Sequence, residues 1–556
     1  MLIKTGKKGT MVLQVIALLL VMSLAIFTAA CPDEKEGKTT NIVEEEEEPG
    51  NEPGENQNPT ETNYGETLSW GTEFTPATLG LNPGNDTTEI RLNWYSAGAP
   101  AGKFAKVRFI KGTKAEGTEL KEVDGTVAAA SSGFVQHKAV VTGLEPGASY
   151  QYSVSTDGTN WSPMYNFKIP AKTGAFKFAV IADPQLTMGN VDVNSRYNNS
   201  MTTASGWLQT MEKIVAAGVS FIASGGDQVD AGGGNENEYT NLFAPTGLRS
   251  LPLAPVRGNH DAHAHFDYHF NIPNEQIFDE GRTITNGGNY FYLYNNILFV
   301  VLNTAPYPNN TVAAGPYLQY FGQTLQAAVS ANSGKYDWLI VQHHKSTASV
   351  GDHVADNDIQ YYVEAGFETL MSYYNVDFVL AGHDHVYARS YPLKGMHEGR
   401  VSVPMKTGFD PASGSTWVSP MDPIYLTFTT GSGLKYYAVS SDKTYEYNNT
   451  LYVKNNASYP YLGETEDDGV TSTFKGSIDY MTNLKLPVSN AAYVQPYIPS
   501  YCIVEVNGRS ITFKTYPIFS SSLDNKGTST AIRSYVEGQP HNFDLNTPYD
   551  VITVTK

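Results

Sequence analysis

Residues 376–390 read VDFVLAGHDHVYARS, and this stretch decides how the rest of the chain is interpreted. The apolar run before Gly382 is typical of a buried strand, and His383 and His385 follow at the point where that strand ends. Two imidazoles two positions apart can approach one metal ion or two neighbouring ions. The stretch therefore predicts one edge of a metal site.

Four other apolar runs end in the same way: FKFAVIAD, VSFIASGGD, LPLAPVRGNHD and DWLIVQHH. Helix-length segments such as GWLQTMEKIVAAG separate several of them, which predicts buried strands alternating with helices. Open α/β sheets carry their sites on loops at the carboxyl ends of strands. We therefore expect the polar residues that follow the five strands to meet; they are Asp183, Asp227, Asn259, His260, Asp261, His343, His344, His383 and His385.

Carboxylates, an amide and imidazoles together form a donor set that suits two metal ions, with one carboxylate bridging them. A nucleophilic triad explains the clusters less well, because no Gly-x-Ser-x-Gly turn lies among them. Each cluster alone has an ordinary structural explanation as a turn, a helix cap or a buried pair. Their joint occurrence after five apolar strands favours the metal site.

These motifs, from ADPQ through GGDQVD, GNHD and WLIVQHHK to GHDHVYARSY, resemble the calcineurin-like metallophosphoesterase superfamily. The resemblance is closer to its purple-acid-phosphatase-like bacterial members and covers about residues 67–520. It implies two divalent or trivalent ions, of Fe, Mn, Zn or Ca. In that arrangement Asp183 and His385 hold the first ion, and Asp227 bridges to the second. The second ion's remaining ligands are Asn259, His383 and His344, with His343 as the alternative to His344.

Two positions depart from the family pattern. Gln185 stands where many members have a histidine, and it can either ligate a cation through its amide oxygen or hydrogen-bond to a ligand. Asp230 stands where the purple enzymes have a tyrosine that binds iron, so we expect no purple colour.

The resemblance also implies a mechanism in which a hydroxide, activated by the metal pair, attacks phosphorus. His260 then protonates the leaving oxygen, and Asp261 orients the His260 ring. Other polar residues have expected places outside the chemistry. His263 and His265 are expected at the rim or in solvent, and His269 is expected to help dock its loop. Lys345 is expected at the surface and Arg389 in a structural ion pair, with contact to substrate phosphate as the alternative for each.

The first 66 residues predict export. Lys4, Lys7 and Lys8 precede a long apolar run that ends in TAAC, which is typical of a bacterial lipoprotein signal over residues 1–30 with lipidation at Cys31. A retained membrane helix is the alternative. Residues 31–66 are acidic and rich in Pro and Gly, so we expect a disordered tether. The protein would then be exported and lipid-anchored to a bacterial membrane or cell surface.

The chain has 556 residues and a net charge of −19, which argues against nucleic-acid binding. Residues 67–170 predict an all-β sandwich that resembles a fibronectin-III-like domain, with Trp94, Tyr150, Tyr152 and Trp161 in its core. For residues 171–520 the resemblance implies an α/β (α+β) four-layer metallophosphoesterase sandwich. Residues 440–490 are interpreted as an insertion and residues 521–556 as a C-terminal extension.

The expected function is hydrolysis of small phosphate monoesters outside the cytoplasm. A phosphodiesterase or nucleotide hydrolase with the same site is the alternative within this chemistry. A non-catalytic surface binding protein on the same scaffold is the alternative of a different class.

Overall fold

The computed structural model describes most of the chain from residue 77 onward. The predicted signal, the tether and Cys31 lie outside the described residues, as does most of the predicted insertion. Among the described residues, no helix has both the length and the apolar character needed to cross a membrane. The described ranges are 77–113, 115, 119–187, 202–231, 236–261, 263–277, 287–395, 402–437, 444–447, 450–453, 490–494, 496, 498–518, 521–522 and 542–556.

Two four-stranded antiparallel sheets form the N-terminal domain, in the orders β1-β2-β6-β5 and β4-β3-β7-β8. Their inward side chains share one core that contains Trp94, Tyr150 and Tyr152. The prediction for Trp161 is wrong: it is only half-buried, and its ring lies 4.4 Å from the Arg108 guanidinium carbon. The strands are β1 Ala77–Pro83, β2 Ile90–Ala97, β3 Lys106–Lys111, β4 Lys121–Asp124, β5 Thr126–Ala129, β6 Phe134–Val141, β7 Ser149–Ser155 and β8 Tyr165–Lys168.

The larger domain is built on two seven-stranded sheets, and short strand pairs lie outside them. Its strands are β9 Phe176–Ile181, β10 Ile222–Ser224, β11 Leu253–Ala254, β12 Tyr290–Tyr294, β13 Ile297–Val301, β14 Trp338–Lys345, β15 Phe378–Gly382, β16 Tyr387–Ser390, β17 Leu393–Gly395, β18 Ser402–Pro404, β19 Ser415–Val418, β20 Ile424–Thr427, β21 Thr444–Tyr447, β22 Thr450–Val453, β23 Asn490–Val494, β24 Ser500–Asn507, β25 Ser510–Pro517, β26 Ser521–Ser522, β27 Asn542–Phe543 and β28 Asp550–Thr555. The first sheet has the order β11-β10-β9-β24-β25-β28-β19, and the second has the order β12-β13-β14-β15-β20-β16-β23.

Helices cover the outer faces of both sheets, which gives the predicted four layers. The helices are α1 Thr203–Ala216, α2 Glu236–Phe243, α3 His263–His269, α4 Thr311–Ala331, α5 Asn357–Glu364 and α6 Phe367–Tyr373. Trp207 and Met211 of α1 pack against the first sheet, and Phe321 of α4 packs against the second. A third core, which includes Phe178 and Ile340, fills the space between the sheets.

The C-terminal residues belong to the larger domain. Strand β28 lies between β25 and β19 in the first sheet, with parallel pairing to β19 and antiparallel pairing to β25. Alternating Ile552 and Val554 are buried in the core between the sheets. The prediction of a separate extension over 521–556 is therefore wrong for its last strand, whose apolar face completes the sandwich.

Candidate metal centre

The polar loops of both sheets meet at one edge of the sandwich. Strands β9, β10 and β11 are parallel to one another, and so are β14 and β15, so each set ends on the same side. The structure brings seven of the residues that the sequence predicts as ligands to this edge: Asp183, Gln185, Asp227, Asn259, His344, His383 and His385. Their role as metal ligands stays a prediction.

His344 lies at the centre of the cluster. Its Nδ1–H donates to the Gly225 carbonyl oxygen at 2.8 Å, which turns Nε2 toward the other donors. That Nε2 is 2.9 Å from Asn259 Oδ1 and 3.1 Å from Asp227 Oδ2. It is also 3.2 Å from His383 Nδ1. Two oxygens and two nitrogens, from three loops and from β14, thus converge on one point. Asp227, His344 and His383 together form a group compact enough to hold a metal ion.

Asp183 and His385 form the second part of the cluster. The Asp183 carboxylate accepts the backbone N–H of His383 at 2.9 and 3.0 Å. His385 Nε2 lies 3.5 Å from Asp183 Oδ1, because its Nδ1–H donates to the Lys435 carbonyl oxygen at 2.7 Å. The ring orientation of His385 is therefore fixed by a backbone acceptor outside the ligand set, as is common for metal-binding histidines.

Three motif glycines make this close approach possible. A Cβ on Gly226 would lie less than 3.0 Å from the His344 ring, and a Cβ on Gly258 would meet the Asp227 carboxylate. A Cβ on Gly382 would meet Asp183. The glycines of the GGD, GNHD and GHDH motifs thus leave room for the ligands themselves.

The backbone at the cluster is in an uncommon conformation. Five of the ten described non-glycine residues with positive φ belong to the site: Asp183, Gln185, Asp227, His383 and His385. Such a conformation costs about 1–3 kcal/mol for each residue and persists only where the surrounding structure enforces it. Such uncommon conformations are typical of functional sites, and half of those among the described non-glycine residues lie at this cluster.

Burial and mutual contact shift the pKa values of the cluster strongly. Burial and the nearby Asp227 raise the pKa of Asp183 well above its usual range, although His344 opposes the shift. Burial also acts to raise the pKa of Asp227, but His344 outweighs it and the pKa falls to about 2. Burial acts to lower the pKa of His344, yet Asp227 raises it to about 9. Without a cation, His344 therefore carries the positive charge that balances Asp227.

The donor set fits metal ions. Carboxylate, amide and imidazole donors are the mixture that first-row transition metals bind. Gln185 adds a further indication: its Nε2 lies 3.4 Å from Asp227 Oδ2, while its buried Oε1 has no hydrogen-bond partner among the described residues. A buried orphan oxygen is costly unless something satisfies it, and a cation would do so.

His260 lies beside the cluster, with its backbone N–H donating to Asp227 Oδ1 at 2.9 Å. The expectation that Asp261 orients its ring is wrong. Asp261 instead accepts the backbone N–H groups of Gln228 and Gly258 at 3.0 and 2.9 Å, and so ties two motif loops together. The His260 ring is oriented by the carbonyl oxygen of Asp230, which accepts its Nδ1–H.

Several other predicted positions are now defined. His343 points away from the cluster and packs 4.8 Å from the Phe367 ring, and burial lowers its pKa to about 3. Arg389 is buried and pairs with Asp550, Nε to Oδ2 at 2.7 Å, which excludes direct contact with phosphate. Lys345 was expected at the surface, and this prediction is wrong because its side chain is fully buried.

The histidines beyond His260 lie toward the N-terminal domain. The side chain of His263 lies outside what the structure describes. His265, predicted at the rim, is buried instead, with Nδ1 3.3 Å from Glu236 Oε1. His269 donates from Nε2 to Glu236 Oε2 at 2.6 Å and stacks on Tyr95 of the N-terminal domain at 4.3 Å. It therefore helps to hold the two domains together.

Four residues that the sequence analysis missed also border the site. The site opens into a cavity of about 100 Å³, and its lining adds Tyr307, His353, Asp356 and Tyr437 to the predicted residues. His353 Nδ1–H donates to Asp356 Oδ2 at 2.6 Å, and its ring centre lies 4.5 Å from that of His383. These four residues reach the site only through the tertiary fold. None of them belongs to a recognised motif at the end of a strand, so the sequence pattern did not predict them.

Comparison with known proteins agrees with this architecture. Residues 176–387 match the calcineurin-like phosphoesterase family, and residues 76–169 match the purple acid phosphatase N-terminal domain. The two matched regions fall in the two domains of the structure. The chain carries a calcineurin-like phosphoesterase domain behind a purple acid phosphatase N-terminal domain, as its motifs predicted.

Individual relatives are distant. A purple acid phosphatase, PPD1 from yellow lupin seeds, superposes with a TM-score of 0.55 over 86% of this chain and 74% of that protein, at 14% identity, which shows a shared fold. Uncharacterized proteins from two strains of Mycobacterium tuberculosis are 30% identical over 87 residues. That match spans 15% of this chain and 16% of each relative.

Proposed function

We propose that the protein is a metal-dependent phosphoester hydrolase that acts on small phosphate monoesters with the help of two metal ions. One observation carries the proposal: oxygens of Asn259 and Asp227 and a nitrogen of His383 all lie within 3.2 Å of His344 Nε2. The family matches support the same chemistry.

The residues divide into two sets around a shared carboxylate. Asp183 and His385 would hold one ion, Asn259, His344 and His383 the other, and Asp227 would lie between them. Gln185 would offer its buried Oε1 to the first set. Bound there, two cations supply the acidification of a water molecule and the neutralisation of phosphoryl charge that phosphoester hydrolysis needs.

The protein's own residues would handle the leaving group. The His260 Nδ1–H is held by the Asp230 carbonyl oxygen, and its Nε2 lies 4.0 Å from Asp227 Oδ2 at the edge of the cluster. From this position a protonated His260 can donate to the departing oxygen as a general acid. His353, fixed beside His383 by Asp356, is a second group that can hydrogen-bond to phosphoryl oxygens.

The test uses the purified full chain, with metal analysis and hydrolysis of p-nitrophenyl phosphate and bis-p-nitrophenyl phosphate. We expect bound metal and activity on the monoester. His344→Gln should lose metal and at least about 100-fold in kcat/KM, as expected when a group central to transition-state stabilisation is removed. The matched control is His343→Gln at the neighbouring buried position, which should keep its metal.

Other results would select the alternatives. Faster hydrolysis of the diester would favour a phosphodiesterase or nucleotide hydrolase. A metal-free, inert protein would favour a non-catalytic surface binding protein on this scaffold.

We also propose that the protein acts outside the cytoplasm, anchored through a lipid on Cys31. The support is the sequence alone: basic residues, an apolar run and TAAC, followed by an acidic segment. Cys31→Ser should move the protein from the membrane fraction to the soluble fraction of the producing cells. Unchanged membrane association would favour a retained helix instead.

A further inference from the structure

Tyr307 is an unusually exposed aromatic residue for its position. It borders the candidate metal cavity, yet 62% of its surface is accessible to solvent. With the exception of Tyr437, the rest of the lining consists of carboxylate, amide and imidazole side chains. The lining of a polar cavity therefore includes two phenol rings, and the ring of Tyr307 is the more exposed of the two.

A buried cation fixes the Tyr307 ring. Lys345 Nζ lies 3.1 Å from the centre of that ring and forms an ion pair with Asp358. The Lys345 side chain is fully buried, so its ammonium group is stabilised by one carboxylate and one aromatic face. Because Lys345 directly follows His344 on β14, the Tyr307 ring is held in a fixed position relative to the cluster.

Tyr437 is positioned by the site histidines. Its ring meets the His353 ring edge-on, with centres 4.6 Å apart, and lies 4.8 Å from the His385 ring. The two phenol rings thus border a cavity of about 100 Å³. Ligand pockets for drug-sized molecules usually measure about 300–1,000 Å³, so this cavity has room for the phosphoryl end of an ester but not for a large leaving group.

We propose that Tyr307, assisted by Tyr437, is a specificity-determining residue that selects phosphoesters with a planar aromatic leaving group. This inference rests on the proposed function. The phosphoryl group would enter the cavity, and the leaving group would remain at the mouth, stacked on the Tyr307 face that Lys345 does not cover. The ammonium group on the covered face draws electron density toward itself, which favours an electron-rich ring, aryl or nucleobase, on the opposite face.

A competing explanation is that Tyr307 serves only as a cover that keeps water from the Lys345–Asp358 pair. That role predicts a loss of stability when the ring is removed, but no change in the preference among esters. A stacking role predicts a change in preference that follows the aromatic ring. The ratio of rates on matched esters therefore separates the two.

The experiment compares two pairs of esters on the metal-loaded full chain. Benzyl phosphate and cyclohexylmethyl phosphate differ in aromaticity at similar size and both release a primary alcohol, and adenosine 5′-monophosphate and ribose 5-phosphate differ by the base. For the wild-type protein we expect kcat/KM to favour the aromatic member of at least one pair by about 3- to 10-fold, the range of an aromatic stacking contact. Preference within the first pair alone identifies an aryl site, and preference within the second identifies a nucleotide site.

Variants of Tyr307 test the role of its ring. Tyr307→Leu should bring the ratio of kcat/KM between the aromatic and the non-aromatic ester close to one, whereas Tyr307→Phe should keep the wild-type ratio. Tyr373→Leu, at a residue that does not border the cavity, controls for the loss of a tyrosine and should keep the wild-type ratio. A ratio that is the same in wild type and Tyr307→Leu would overturn the inference.

Failure of the proposed function gives a different pattern. A wild-type protein that hydrolyses none of the four esters contradicts the proposed function, and calorimetric binding of the same compounds then decides the inference. Tighter binding of the aromatic members, lost in Tyr307→Leu, supports the stacking site. Equal binding within both pairs overturns it.

Discussion

Gly226 lies directly against His344: a Cβ placed on Gly226 would come within 2.7 Å of the His344 ring carbon Cγ. The backbone of Gly226 has a φ of +100°, a conformation that other L-residues rarely adopt. Gly226 therefore allows both the turn after β10 and the close approach of His344 to Asp227. It ties the conformation of the GGD motif to the geometry of the metal centre.

Gly226→Ala should displace His344 and weaken metal binding at least about tenfold. Backbone strain and the steric conflict together should lower the free energy of unfolding by about 2–5 kcal/mol. Metal titration and urea unfolding measure the two effects. Gly218→Ala is the matched control, because Gly218 also has a positive φ, +69°, but an added Cβ meets nothing within 4 Å. Equal metal affinity in both variants would contradict the steric argument.

Metal binding should become tighter as the pH rises toward 9. In the metal-free protein the contact with Asp227 raises the pKa of His344 to about 9, so the ring is protonated at neutral pH. A metal ion requires the neutral imidazole and must displace that proton. Below pH 9 this one group should make the apparent affinity rise about tenfold per pH unit.

Calorimetry in buffers with different ionisation enthalpies measures the proton release directly. At pH 7 His344 should release about one proton for each protein molecule that binds metal, and Asp227→Asn should reduce the release because His344 loses the carboxylate that holds its proton. Metal binding without proton release would show that His344 is neutral in the free protein. Addition of a chelator should reverse the binding and remove the metal-dependent gain in thermal stability.

Arg389→Met should destabilise the protein without changing its turnover. Arg389 contacts Asp550 with two bonds, Nε to Oδ2 at 2.7 Å and Nη2 to Oδ1 at 3.1 Å, and both residues are buried. Loss of one partner leaves an unpaired buried charge, which costs about 3–5 kcal/mol. Urea unfolding should show this loss, whereas kcat and KM of the folded protein should change by less than about twofold.

A double variant, Arg389→Met with Asp550→Asn, removes both charges and should recover part of that stability. A large rise in KM in the single variant, with stability unchanged, would instead assign Arg389 to phosphate binding.

The sequence predicted the fold and most of the site because both depend on local patterns. Apolar strands followed by small and polar residues indicated where β9, β10, β14 and β15 end. Parallel pairing brings the ends of β9 and β10 together in one sheet and the ends of β14 and β15 together in the other. Asp183 and His385 then meet because the two sheets pack face to face. The C-terminal strand escaped prediction because it lies beyond a long polar segment and joins the sheet by a distant pairing. Nothing local to Asp550 shows that Arg389 is its partner.

The parts that the sequence missed depend on tertiary contacts. Asp261 follows His260 directly, which suggested a side-chain contact between neighbours. In the structure its carboxylate instead accepts the backbone amide of Gly258 in its own turn and that of Gln228 in another loop. The burial of Lys345 was missed because an isolated lysine at the end of a strand is usually exposed. Only the three-dimensional structure shows that the Asp358 carboxylate and the Tyr307 ring stabilise the Lys345 ammonium group.

Glu236→Gln should weaken the contact between the two domains and reduce the dependence of stability on pH. Glu236 accepts hydrogen bonds from Ser131 of the N-terminal domain and from His269 at 2.6 Å. Burial acts to raise the pKa of Glu236, but the bonds from His265 and His269 outweigh it and hold the pKa well below its usual range. A carboxylate whose pKa is lower in the folded than in the unfolded protein stabilises the fold. This contribution is complete above the pKa of the unfolded chain, about 4.3, and is lost as the pH falls below that value.

At pH 7 the variant should therefore be less stable than the wild type by about 1.5–3 kcal/mol, the range of a hydrogen bond to a charged group. The difference should shrink below about pH 4, because Glu236 in the unfolded wild type then binds a proton that the folded state, with its lowered pKa, does not bind. Glu212→Gln, on the exposed face of α1, controls for the loss of one carboxylate and should leave the curve unchanged. A constant difference between wild type and Glu236→Gln from pH 7 to pH 3 would show that the charge of Glu236 does not hold the domains together.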